Sequence, residues 1–330
     1  MKKILDALYQ HQQLGYQEAR EILSAMAAGA YNPSQIASFI TVFLMRGVSV
    51  QELSGFRDAL MDLCLKTDLG DYNTIDLCGT GGDEKNTFNI STLASFVVAG
   101  AGVKVTKHGN YGQSSVSGSS NVLEYLGYRF KNDAALLRME LEKTGICFLH
   151  APLFHPAMKT VAPIRKELGV KTFFNMLGPL VNPAQPSHQL TGVYSLELAR
   201  MYHYLFQQDG KNYAVIHGMD GFDECSLTSA TKVFDNQGEH LFQPEDFGSI
   251  QLKAEEISGG DSVQSAAKIF MAVLENHATE AQTNVVIANA ALALRCASGL
   301  SLPECILQAI ESIQSKKALE VFKKLISLQS

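Results

Sequence analysis

The sequence predicts an α/β protein in which a small N-terminal helical domain precedes a large domain with a central, mostly parallel sheet flanked by helices. Three observations carry this prediction. Residues 1–67 hold helix signals only; from Asn73 short β-type runs alternate with helical patterns; and Glu280 to Leu328 is rich in alanine and leucine at helical spacing. The boundary is expected between 1–67 and 68–330, with a later helical segment near 155–180 joining the first domain.

In the first domain, apolar residues from Gln17 to Gly29 recur at helical spacing and stop at glycine. The next helix has Asn32 as cap, Pro33 in its first turn and an end at Gly47. Ser49-Val50-Gln51-Glu52 is a capping-box pattern opening a third helix through Leu63. Beyond it, strands are expected at 75–78, 103–106, 146–149, 190–194 and 214–217. Helices are expected between them at 93–100, 121–126, 134–143 and 195–208. A hairpin of 233–234 and 240–242 around Asp235-Asn236-Gln237-Gly238 follows.

Composition narrows the function. With 330 residues, 46% hydrophobic and 18% charged, the chain can bury a sizeable core. A net charge of −6 without a basic block argues against a nucleic-acid partner, which needs clustered Lys and Arg. No segment approaches 18 consecutive apolar residues, and no signal-peptide pattern opens the chain, so no membrane association is expected. Cys64, Cys78, Cys147, Cys225, Cys296 and Cys305 lie scattered in apolar segments without CxxC spacing, the usage of a reduced cytoplasmic protein.

The stretch from Asp76 to Thr92 carries most of the chemistry. A buried strand ends in Gly79-Thr80-Gly81-Gly82-Asp83, and Asn89 with Ser91-Thr92 is placed to cap the following helix. Strand, glycine turn and helix N-terminus together form an anion site. The loop fails GxGxxG, which needs glycine at Glu84, and lacks the Gly-Lys pair of a P-loop. A plain structural turn and a phosphate cradle both fit; the many short donors (Thr80, Thr87, Asn89, Ser91, Thr92) favour the cradle.

In such sheets ligands bind beyond the carboxyl ends of the strands, and the unusual polar residues collect in those loops. After the second strand, Lys107-His108-Gly109-Asn110-Tyr111-Gly112-Gln113-Ser114-Ser115 and Ser117-Gly118-Ser119-Ser120 suit a diphosphate, or a serine-glycine surface loop. After the third, Pro152 and Phe154 offer an apolar slot. Arg165, on a later helix, offers a fork for a carboxylate, or is a surface arginine. His155 suits a structural hydrogen bond. After the fifth, Asp223-Glu224 suits Mg²⁺, or a solvated acidic turn.

Taken together, GTGGD (79–83), NTFNIST (86–92), KHGN (107–110), SSxSGSS (114–120), the segment from His155 to Arg165, FNMLGPLVNP (174–183) and DE (223–224) resemble the anthranilate phosphoribosyltransferase family over essentially the whole chain. The resemblance implies the fold shared with nucleoside phosphorylases. It also implies transfer of phosphoribose from phosphoribosyl pyrophosphate to the amine of anthranilate, with release of pyrophosphate, in tryptophan biosynthesis. By the same resemblance, Gly79, Gly82, Asp83, Thr87, Asn89, Ile90, Ser91 and Thr92 would hold the donor. Lys107, His108, Gly109, Asn110, Tyr111, Gly112, Gln113, Ser114, Ser115 and Ser119 would cover its phosphates. Ser91, Asp223 and Glu224 would ligate Mg²⁺, and Gly79, His108, Asn110, His155 and Arg165 would bind anthranilate. No general acid or base is implied, because an aromatic amine is already neutral at pH 7.

A homodimer through the helical domain is implied as well. Two positions depart from the family pattern: Tyr111 stands where Arg is frequent, and Asn121 where Asp is usual. A pyrimidine nucleoside phosphorylase and a non-catalytic paralogue binding phosphoribosyl ligands or nucleic acid are the alternatives. The first lacks a reason for KHGN with the acidic pair; the second would present a basic surface or lose the carboxylates.

Overall fold

The structure, a computed structural model, describes residues 1–112 and 117–329. The chain divides into two compact units, Met1–Thr67 with Ala151–Pro183, and Asp68–His150 with the chain from Ala184 onward.

The first unit is helical: α1 (Lys2–Tyr9), α2 (Tyr16–Ala27), α3 (Pro33–Arg46) and α4 (Val50–Leu63), then α8 (Ala151–Phe154) and α9 (Ala162–Leu168). The caps fall where the sequence places them. Asn32 Oδ1 accepts the Gln35 N–H at 2.9 Å, Ser49 Oγ accepts the Glu52 N–H at 3.3 Å, and Gly47 ends α3 at φ 76°. An aromatic cluster explains why a segment so far along the chain belongs here. Phe173 stacks on Phe56 with centroids 4.5 Å apart and meets Phe43 edge-on at 5.1 Å; Phe39 joins from α3. Phe154 is wholly buried, so it is core and does not line the slot expected of it.

The second unit carries a seven-stranded sheet of order β3-β2-β1-β4-β5-β6-β7. Its strands are β1 (Thr74–Leu77), β2 (Lys104–Gly109), β3 (Ile146–His150), β4 (His188–Gly192), β5 (Asn212–Gly218), β6 (Thr231–Asp235) and β7 (Gly238–Phe242). The first five are parallel and the last two form the antiparallel hairpin. Helices α5 (Ile90–Gly100), α6 (Ser119–Tyr125), α7 (Ala134–Thr144) and α10 (Leu196–Asp209) connect the parallel strands; α11 (Val263–Leu274), α12 (Glu280–Ser298), α13 (Leu302–Gln314) and α14 (Lys317–Ser327) complete the unit. Almost every residue of α5 and the unbroken run Val285–Leu294 of α12 are buried, as expected of helices that pack on each other and on the sheet.

Two boundaries differ from expectation for a stated reason. β2 runs on through Lys107, His108 and Gly109, which pair with Phe148, Leu149 and His150 of β3. These polar residues therefore sit in the sheet and not in the loop after it. β4 begins at His188, earlier than the apolar run suggests, because the buried polar pair His188-Gln189 matches Ile75-Asp76 of β1. Helix α11 has no counterpart among the expected elements. Among the described residues no single helix is long and apolar enough to cross a membrane.

Candidate functional site

The carboxyl ends of β1, β2, β4 and β5 meet at the point where strand order reverses around β1, the usual place for a ligand in such a sheet. β1 leaves Leu77 into the glycine loop, whose glycines are needed for different reasons. Gly81 and Gly82 have φ of 63° and 80°, a region that L side chains adopt reluctantly. Gly79 has ordinary φ but no room: a Cβ there would come within 2.7 Å of Asp223 Oδ2. The Thr80 N–H donates to the Gly192 carbonyl at 2.9 Å, tying the loop to the end of β4. Glu84, where GxGxxG would demand glycine, takes a left-handed φ of 59° as an exposed side chain.

Above this loop hang the two carboxylates of the β5–β6 connection. Asp223 Oδ2 accepts the Gly81 N–H at 2.7 Å, and the polar groups of Ser91, in the first turn of α5, favour the charged form of Glu224. Burial, then Asp83 and Glu224, push the Asp223 carboxyl well above the usual carboxylate range. Burial and Asp83 push Glu224 up to about 7, against the opposite pull of Lys107 and Ser91. Lys107 is itself buried at the end of β2, and its Nζ donates to the Leu77 carbonyl. Such crowding of buried negative charge is what a divalent cation relieves. No group of three or more His, Cys, Asp or Glu stands in metal-ligating arrangement among the described residues. Two carboxylates and a hydroxyl fit Mg²⁺, which completes its shell with substrate phosphate and water.

The backbone behind the carboxylates is held from a helix. Asn289 of α12, wholly buried, accepts the Cys225 N–H at 3.0 Å and donates to the Cys225 carbonyl at 2.9 Å and to Val285 at 2.8 Å. A side chain on Gly192 would overlap the Asp223 carbonyl, so β4 packs directly on the same residue. A second buried anchor is Asp76 in β1, whose Oδ1 accepts the His108 N–H at 3.0 Å. Neither Asn289 nor Asp76 is among the site residues expected from sequence. The signal is there: one amide within the apolar run 285–294 of an alanine-leucine helix and one carboxylate in a buried strand.

The remaining donor-site residues are brought together in part. Asn89 precedes α5, but its side chain makes no cap; its Nδ2 donates instead to the Ser117 carbonyl at 3.0 Å, linking the two polar loops. Helix α5 starts at Ile90, so Ser91 and Thr92 lie inside it and do not cap it. Thr87 pairs through its main chain with Ser258 in an isolated antiparallel bridge. The side-chain oxygens of Thr80, Asn89, Thr92 and Ser117 are buried without a hydrogen-bond partner among the described residues. Buried polar atoms rarely go unsatisfied, so four in one region mark a place where an oxygen-rich or donor-rich ligand completes the bonding. Ser119 Oγ donates to the Asn110 carbonyl at 3.1 Å. Gln113, Ser114 and Ser115 lie outside the described residues.

The helical unit holds the other two candidates. Arg165 Nη2 donates to Asn175 Oδ1 at 3.1 Å, and its guanidinium lies 5.1 Å from the Phe174 ring centroid. Burial alone pulls its pKa down to about 10. Asn175 also accepts the Thr172 N–H at 3.1 Å, so it fixes the arginine from a rigid turn. His155 is buried, its Nε2 bonded to the Val181 carbonyl at 2.9 Å, and burial lowers its pKa to about 4.

Comparison with known proteins places these features in context. Residues 71–319 match the family described as glycosyl transferase family, a/b domain, and residues 2–64 match its helical bundle domain. The anthranilate phosphoribosyltransferase of Flavobacterium psychrophilum is 57% identical over 328 residues, covering 99% of each chain. That of Christiangramia forsetii is 55% identical with the same coverage. Among solved structures, anthranilate phosphoribosyltransferase from Thermus thermophilus superposes with a TM-score of 0.92 at 31% identity, covering 98% of both chains. The Saccharomyces cerevisiae enzyme in complex with PRPP and Mg superposes with a TM-score of 0.91 at 27% identity, covering 98% of this chain and 96% of that one.

Proposed function

Because the chain belongs to the anthranilate phosphoribosyltransferase family, we propose that its Asp223-Glu224 pair and glycine loop form the donor half of that family's reaction. The protein transfers the phosphoribosyl group of phosphoribosyl pyrophosphate to the amine of anthranilate, giving N-(5-phosphoribosyl)anthranilate and pyrophosphate, a step of tryptophan biosynthesis. The nucleoside phosphorylase and non-catalytic alternatives give way to relatives that carry the transferase name over full length. The observation that carries the site assignment is the crowding of buried Asp223 and half-buried Glu224 around the Gly81 N–H and within reach of Lys107.

The chemistry follows from those residues. The difficult event is breaking the bond from C1 of ribose to pyrophosphate through a cationic, oxocarbenium-like sugar. Lys107, fixed by its bond to the Leu77 carbonyl, supplies preorganised positive charge for the leaving group. Mg²⁺, held by Ser91, Asp223 and Glu224, supplies further neutralisation of the pyrophosphate when bound. Gly79, Gly82, Asp83, Thr87, and Asn89 to Thr92 hold the donor, and residues 107 to 115 with Ser119 cover its phosphates. Arg165, held by Asn175 and lying over Phe174, receives the acceptor's carboxylate. His155, whose Nε2 engages Val181, acts on the acceptor side by fixing the turn that precedes α9. An aromatic amine needs no strong base, so positioning supplies the remainder.

We further propose a cytoplasmic homodimer joined through the helical unit, where Leu44, Met45 and Val170 are exposed at 43%, 85% and 51%. Sedimentation velocity tests it: a single monomer boundary at micromolar concentration would remove the dimer. The function itself is tested by following anthranilate fluorescence with phosphoribosyl pyrophosphate, with and without Mg²⁺. Metal-dependent loss of signal is expected. A folded protein that consumes no anthranilate but cleaves nucleosides with phosphate would overturn the reading.

A further inference from the structure

We propose that Asn121 is a positioning residue for the donor: its carboxamide oxygen joins Gly112 to Gly118 at the first turn of α6 and so helps hold residues 110–112 in place before substrate arrives. This rests on the donor-site reading above. One oxygen, Asn121 Oδ1, accepts two main-chain N–H groups, that of Gly112 and that of Gly118, each at 3.1 Å. The two glycines are thereby drawn so close that a side chain on Gly118 would overlap the Gly112 backbone. Two further bonds run in the same sense. Ser119 Oγ and the Ser120 N–H both donate to the Asn110 carbonyl, at 3.1 and 3.3 Å.

Tyr111 makes a second tie on the outer side. Its hydroxyl donates to Glu124 Oε1 at 2.8 Å, and its ring meets the His150 ring edge-on with centroids 4.7 Å apart. Asn110 and Tyr111 are thus held by α6 through bonds that involve no ligand. A segment already ordered binds more tightly than one that must be ordered during binding, because the entropy of ordering is not charged against the donor. The ties touch no substrate, so Asn121 acts through Gly112 and Gly118, beside the Ser119–Asn110 bond.

The test compares N121L, which keeps the size but loses the acceptor, with N121D, which keeps an acceptor oxygen, in the full-length protein. Steady-state constants for both substrates are measured with saturating Mg²⁺, and donor affinity by calorimetry with phosphoribosyl pyrophosphate. Losing two bonds worth about 1 kcal/mol each is expected to weaken donor KM and Kd about tenfold to thirtyfold in N121L. The anthranilate KM should move several-fold less than the donor KM, and N121D should stay within about threefold of wild type. G118A, which must push Gly112 away, is expected to weaken the donor in the same way and serves if N121L does not fold. An unchanged donor KM in these variants, or an equal loss for both substrates with a lowered melting temperature, would overturn the proposal. Absent turnover in the wild-type protein would instead strike the functional reading.

Discussion

Replacing Asn289 with alanine should damage the site from behind, and the size of the effect follows from its bonds. The side chain is wholly buried and makes both hydrogen bonds to the main chain of Cys225, 64 residues away, plus one to Val285 within its own helix. Truncation strands the Cys225 N–H and carbonyl in the interior, at about 1–3 kcal/mol each. A loss of about 4 kcal/mol in unfolding free energy is expected, or a fall of roughly 10 °C in melting temperature for a unit of this size. Cys225 follows Glu224 directly, so the carboxylates lose their support, and the Mg²⁺ concentration for half-maximal activity should rise at least tenfold. Ser312→Ala is the control. Its hydroxyl makes one buried bond to the Val97 carbonyl, with no link to the carboxylates, so about 1 kcal/mol should go with no change in metal dependence. Calorimetry and a Mg²⁺ titration of initial rates decide the matter. An Asn289→Ala protein that melts within 2 °C of wild type, or matches Ser312→Ala in its Mg²⁺ response, would refute the reasoning.

Three other perturbations are expected to separate the parts of the mechanism. Arg165→Ala removes a charge-assisted clamp worth about 1.5–3 kcal/mol, so the anthranilate KM should rise roughly tenfold to a hundredfold while the donor KM stays within about threefold; equal losses would exclude the role. Gly79→Ala places a methyl within 2.7 Å of Asp223 Oδ2 on an otherwise permissive backbone, so Mg²⁺-dependent turnover should fall more than tenfold with only a modest change in melting. His155 is held neutral by burial at a pKa of about 4, against an ordinary value near 6.5. The unfolded chain therefore takes up the proton first. The stability from this residue is intact above pH 6.5 and is lost, at about 1.4 kcal/mol per pH unit, as pH falls from there to about 4. The difference between wild type and His155→Gln in urea melts should show that slope, and a flat difference would place the ring in water.

Much of this arrangement is legible in the sequence because local signals and tertiary structure agree. Pro33, Ser49 and the glycine-rich turn each do one local job, and the apolar runs of β1 and β3 mark strands whose residues are buried. Lys107, His108 and Gly109 read as loop in the sequence because polar residues after a strand normally mark its end. They stay in the sheet because Phe148 to His150 pair with them and because Lys107 has a buried carbonyl and carboxylate to face. Asn89 looks like a cap by type and place, and local propensity cannot reveal that Ser117, 28 positions later, offers its carbonyl. Asp76 and Asn289 stay hidden for the same reason. Their partners, 32 and 64 residues distant, are fixed by the fold alone.

The helical unit is written in two instalments, and that has a consequence in time. Phe39, Phe43 and Phe56 emerge from the ribosome early, while Phe173, which stacks on Phe56, lies 106 residues beyond the end of the first segment at Thr67 (173 − 67). At about 5–20 residues per second, the nascent helices wait roughly 5–20 s with that apolar surface uncovered. β1, β2 and β3 are all synthesised during the wait, before β4 exists to close the other side of β1. The newborn chain therefore passes through a stage in which neither unit can finish folding, and that interval is when a holding chaperone would find the most to bind.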